Sequence, residues 1–130
     1  MLIRRFALCA LLLFTAVALP VAAAQADSSD KWRIHVKNDA EADGVATFQF
    51  KPRGGYPFEI SVSVAAETKE NDVARRIRDV FQAELPQDAY EVEVDSGEEV
   101  VVEADKRTGE FMVTLLSSSI AGVEFEVERQ

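Results

Sequence analysis

Hydrophobic residues recur at every second position in seven short runs, and that alternation leaves few folds open. Trp32, Ile34 and Val36 alternate with Arg33, His35 and Lys37, and Phe48 and Phe50 with Thr47, Gln49 and Lys51. Phe58, Ile60, Val62 and Val64 alternate with Glu59, Ser61, Ser63 and Ala65. Further along come Y-E-V-E-V at 90–94, E-V-V-V-E-A at 99–104, E-F-M-V-T-L-L-S at 110–117 and G-V-E-F-E-V-E-R at 122–129. Successive side chains of an extended chain point to opposite faces, so each run predicts a strand with an apolar side. Turn-forming residues part the runs: Gly54-Gly55-Tyr56-Pro57, Asp95-Ser96-Gly97, Asp105 to Gly109 and Ser117 to Gly122.

One segment breaks the rhythm. Between Asn71 and Leu85, the residues Val73, Ile77, Val80, Phe81 and Leu85 fall at helical spacing. Thr68 or Asn71 is placed to cap the start, Glu70 and Asp72 suit the positive end of the dipole, and Pro86 stops the helix. Arg75, Arg76 and Arg78 spread around the outer arc and read as a solubilising face. The order βββαββββ predicts an α+β fold, mainly antiparallel β, with about seven short strands in a curled sheet or sandwich. One amphipathic helix packs against it. Runs 99–104 and 110–117 carry apolar residues at successive positions, as in Val100-Val101-Val102 and Phe111-Met112-Val113, which predicts at least partial cover on both faces. The Ala66–Ala89 stretch is long enough for a crossover, so the third and fourth strands could pair in parallel.

The first residues belong to a different class of sequence. Arg4 and Arg5 precede a largely apolar run from Phe6 to Leu19, and Ala24 and Ala26 form an A-x-A signature. That is a secretory signal cut between Ala26 and Asp27. The run is short of the roughly 20 residues a membrane-spanning helix needs, which disfavours an uncleaved anchor. Cys9 lies near the start of the run and not at the cut, so no lipid anchor is expected. The leader is of bacterial type, and the destination is the periplasm or the medium. Cleavage takes 26 of 130 residues and leaves a single domain, 27–130. The only cysteine leaves with the signal, so the core has to hold without disulfides, and no thiol remains for catalysis or metal binding.

The leader also takes two arginines and no acids, so formal net charge falls from −9 to −11. Phosphate binding needs clustered Lys and Arg, so nucleic acid and anionic membrane are not expected partners, whereas a cationic protein is favoured. No nucleophile elbow, phosphate loop, zinc spacing or dinucleotide fingerprint appears in the chain. His35, the lone histidine, has no sequence partners for a triad or metal centre. No cofactor is expected.

Three features are candidates for binding. N-D-A-E-A-D-G-V at 38–45 has the spacing of a calcium loop in Asp39, Glu41 and Asp43. Counting Asp39 as the first position, however, the twelfth, where a bidentate glutamate closes such loops, is Phe50. The motif reads better as a hairpin tip. A three-residue loop Ala42-Asp43-Gly44 would oppose Val36 to Phe50 and Lys37 to Gln49, with Gly44 left-handed. The second feature is the loop Lys51 to Pro57, where Arg53 and Tyr56 are residue types enriched at recognition hot spots. The third is acid alignment: Glu91, Glu93 and Asp95 share one side of a strand, and Glu124, Glu126 and Glu128 one side of another. Like charges opposed across strands repel, so these two strands should not be neighbours. The basic side of Arg33, His35 and Lys37 should flank one of them.

The function expected from these features is that of an exported, non-catalytic domain binding a protein or an envelope component through its surface. Its alternatives are an inhibitor or accessory subunit of a cationic enzyme held by the acidic face, a small carboxylate-dependent hydrolase, and a self-assembling structural protein.

Overall fold

The computed structural model describes residues 28–130; the expected leader and its cleavage point lie outside the described residues. The elements are β1 (Lys31–Lys37), β2 (Gly44–Lys51), β3 (Phe58–Val64), α1 (Glu70–Glu84), β4 (Tyr90–Asp95), β5 (Glu99–Ala104), β6 (Met112–Ser118) and β7 (Glu124–Arg129). The order is the expected βββαββββ, an α+β fold dominated by two antiparallel sheets. One sheet runs β4-β5-β1-β7 and the other β3-β2-β6.

Alternation does its work here. Trp32, Ile34 and Val36 of β1, Phe48 and Phe50 of β2, Ile60 and Val62 of β3, and Val100 and Val102 of β5 are all buried in one core. Each fully buried side chain of this kind is worth about 1.5–3 kcal/mol of transfer free energy. Phe48 is central: its ring meets Phe81 of α1 edge-on at 5.5 Å and Phe125 of β7 at 5.7 Å. Trp32 keeps its indole N–H satisfied at depth, donating to the Phe111 carbonyl at 2.8 Å.

The helix turns Val73, Ala74, Ile77 and Phe81 into that core and lies against β3, β4, β1 and β5. It also covers the free edge of each sheet on its side. Arg76 Nε donates to the Ser63 carbonyl of β3 at 3.2 Å, and Gln82 Nε2 to the Val92 carbonyl of β4 at 2.9 Å. The Tyr90 amide of β4 is taken by the Pro86 carbonyl at 3.0 Å. Unpaired strand edges are templates for foreign strands, and one helix blunts two of them.

Several expectations need correcting. β1 and β2 are not a hairpin: they lie in different sheets, and residues 38–43 carry the chain across the sandwich. Parity fixes which face is buried but not which strand is the neighbour. Charge favours the observed choice, since the basic row of β1 lies between Glu99 and Glu103 of β5 and the glutamates of β7. Beside β2 it would have met Gln49 and Lys51.

Gly44 is accordingly not left-handed; a Cβ there would stand 2.6 Å from the Ile120 Cα, so the glycine permits a backbone crossing. Neither Thr68 nor Asn71 caps α1: the Thr68 hydroxyl donates to the Ala65 carbonyl, and the cap position, Lys69, makes no side-chain cap bond. β3 and β4 belong to different sheets and do not pair. β6 is an edge strand whose second half is exposed, with Leu116 at 45% where the ladder with β2 slips register. Leu116 is the extra residue of a bulge, while Val101 and Met112, half-buried beside buried Val100, Val102 and Val113, give the second face partial cover.

Candidate functional site

The loop that resembled a calcium site turns out to join three parts of the fold. Asp39 Oδ1 accepts from the Glu70 amide at 2.9 Å and Oδ2 lies 3.3 Å from Lys69 Nζ, so Asp39 caps the helix from 31 residues away. These bonds, to the Glu70 amide first and then to Lys69, hold its carboxyl below the usual range. Asp43 Oδ1 accepts from the Ala66 amide at a close 2.6 Å. Glu41 lies over Gly122, and its amide donates to the Ala121 carbonyl at 2.9 Å. Asp39 and Asp43 are thus engaged by backbone amides. Among the described residues, no three His, Cys, Asp or Glu side chains are grouped to hold a metal ion.

Arg53 and Tyr56 separate. Arg53 crosses Gly109, where an added Cβ would stand 2.7 Å from its Cδ. It helps line an open cavity of about 640 Å³ with Lys51, Lys106, Asp30, Asp105 and Glu110. The lining mixes both signs of charge, and in it the Ser28 hydroxyl donates to Glu110 Oε2 at 2.7 Å. Tyr56 stands 92% exposed and is not among the lining residues.

The glutamate rows do share a face, the outer side of the four-stranded sheet, and they occupy its two opposite edge strands. β5 and β1 lie between them, as like-charge repulsion requires. From one edge to the other, β4 carries Glu91, Glu93 and Asp95, β5 carries Glu99, Val101 and Glu103, β1 carries Arg33, His35 and Lys37, and β7 carries Glu124, Glu126 and Glu128.

The two halves of this face differ electrostatically. On the β1–β7 side each base has an acid across the ladder: Arg33 opposite Glu128, His35 opposite Glu126 and Lys37 opposite Glu124. Lys37 Nζ reaches Glu126 at 2.6 Å and His35 Nδ1 lies 3.8 Å from it. The Lys37 hydrogen bond, then its charge, lowers the Glu126 carboxyl below the usual range. On the β4–β5 side Glu91 stands opposite Glu103 and Asp95 opposite Glu99. Across the other ladder of β5, Lys31 stands opposite Glu103 and His35 opposite Glu99, and Arg33 lies 3.4 Å from Glu99. A hydrogen bond with Glu93, then the charges of Glu93 and Glu103, push the Glu91 carboxyl above its usual range.

No family model, curated protein or solved structure matches this chain. The site therefore stands on its own geometry. Glu99 and Glu103 were missed as members of it, although their spacing in E-V-V-V-E, four apart with Val101 midway, puts them on one side of a strand. What the sequence could not supply was the neighbour.

Proposed function

We propose that this protein is an exported, non-catalytic domain that binds a cationic protein or envelope component through the β4–β5 half of its four-stranded sheet. The observation that supports the reading is the stacking of acid against acid across that ladder, Glu91 opposite Glu103 and Asp95 opposite Glu99. Such pairs cost stability in the free protein, and sheets generally avoid them. A partner's Lys or Arg side chains would relieve the repulsion on contact, so part of the binding free energy is already stored in the unbound face. Its charge would also raise the association rate in a salt-dependent way.

The test is capture from the native envelope fraction by the processed protein, beside a Glu91→Gln, Glu93→Gln, Glu103→Gln variant. A partner held by this face is recovered at low salt by the wild type, and lost both at high salt and with the variant. Equal recovery by both proteins would show that the face is only a solvated surface.

A further inference from the structure

The helix covers one side of the sandwich, and among the described residues no helix covers the other. There β6 and β7 are each the edge strand of their sheet, and no ladder joins them. The hydrogen-bond phase of β7 follows from one bond, the Gln130 amide to the Lys31 carbonyl at 2.9 Å. Antiparallel ladders bond at every second residue, so Glu124, Glu126 and Glu128 are tied to β1. The amides and carbonyls of Phe125 and Val127 therefore point away from the sheet. Both side chains are half-buried on the core side, and all three glutamates are exposed on the outer side. Leu116 stands exposed on the neighbouring strand β6.

We propose that this free edge of β7 takes up an extended segment of a partner protein as an added strand, one in which basic and apolar residues alternate. The fold already shows what β7 selects, because its other edge holds such a strand. K-W-R-I-H-V-K, residues 31–37, sets Arg33, His35 and Lys37 opposite Glu128, Glu126 and Glu124 while Trp32, Ile34 and Val36 face the core. The free edge presents the same row of glutamates and the same apolar side. A second copy of β7 is the wrong occupant, since either orientation sets glutamate against glutamate. An acidic strand is excluded for the same reason. Backbone bonds to Phe125 and Val127 supply affinity, and the alternation supplies selection. The proposal rests on the reading that the protein binds cationic partners, but it names a different edge and a different mode.

The test uses the processed protein and a fluorescently labelled, end-capped peptide of sequence KWRIHVK, with a scrambled peptide, KKRHWIV, of identical charge. The alternating peptide is expected to bind about tenfold more tightly, the product of several cross-strand pairs. It should also slow amide exchange at Phe125 and Val127 more than at any other strand. Val127→Pro removes an amide that points outward and leaves the β1 ladder intact, so it should abolish binding while the protein stays folded. The exchange measurement on unaltered protein serves equally should that variant fail to fold.

Equal binding of both peptides, or protection elsewhere than Phe125 and Val127, overturns the proposal. Equal binding that disappears in the Glu91→Gln, Glu93→Gln, Glu103→Gln variant overturns the added strand and leaves the acidic-face reading standing. Alternating-peptide binding that this variant retains supports the added strand and counts against the β4–β5 face.

Discussion

Replacing Gly44 by alanine tests why the chain crosses between the sheets where it does. A methyl at this position would stand 2.6 Å from the Ile120 Cα, 2.7 Å from its nitrogen and 2.7 Å from the Ser119 carbonyl carbon. Carbon–carbon contacts are favourable near 3.5–4.0 Å, so the shortfall is about 1 Å. All three atoms are backbone, and no change of rotamer moves them. The two segments are also tied together, the Val45 amide to Ser119 Oγ at 2.9 Å and the Ser119 amide to the Val45 carbonyl at 3.0 Å. Overpacking of this kind costs about 1–3 kcal/mol, and a clash against tethered backbone belongs in the upper half of that range. For a domain of this size that lowers Tm by roughly 10–20 °C. Gly54 is the control: its φ is +67° and nothing lies within 4 Å of its added Cβ, so alanine there meets only the left-handed backbone penalty of about 1–2 kcal/mol. Urea unfolding followed by the fluorescence of Trp32, the sole tryptophan and 7% exposed, reads both variants. A Gly44→Ala midpoint at the wild-type value, or one less perturbed than that of Gly54→Ala with the slope unchanged, would refute the crossing argument.

Three further outcomes are expected. Phe48→Ala should cost about 3–5 kcal/mol, since its ring joins β2 to both α1 and β7; a loss below about 1.5 kcal/mol in urea unfolding would show that the core closes over the cavity. Asp39→Asn should destabilise the protein at neutral pH, because a lowered carboxyl pKa contributes stability above its unfolded value. That contribution is lost as pH falls through the folded pKa, so the two thermal midpoints should converge in acid; a gap independent of pH would deny Asp39 its role as the distant helix cap. Glu91→Gln should raise Tm at pH 7. A raised carboxyl pKa means that stability is lost as pH rises through the folded value, so the variant's advantage should vanish in acid and shrink in 1 M salt.

Seven strands and the helix were legible because each is written in a local period that burial enforces. The helix boundaries came within a residue of those expected, Glu70–Glu84 against 71–85. Its cap was missed because the capping carboxylate, Asp39, comes from the β1–β2 connection and not from the preceding turn. The same residue explains the calcium-like spacing at 38–45: acids that looked like ligands for an ion accept from the amides of Glu70 and Ala66. Of the candidate binding residues, Glu91 and Glu93 acquired a setting that strand periodicity could only half supply. The acids of the neighbouring strand, Glu103 opposite Glu91 and Glu99 opposite Asp95, arrive through a pairing between strands.

The sequence by itself determined the inventory: which residues lie inward, where turns fall, how many elements form, and that each glutamate row occupies a single side of its strand. These follow from the two-residue and 3.6-residue repeats of the backbone, which any short segment carries within itself. Only the tertiary structure decided adjacency. It placed β1 between β5 and β7 and not beside β2, set Glu91 against Glu103, and sealed two edges with the helix while leaving that of β7 open. Pairing partners are distant in the chain, and many registers bury the same apolar faces. The choice among them falls to long-range terms, the charge across each ladder and the fit of one shared core.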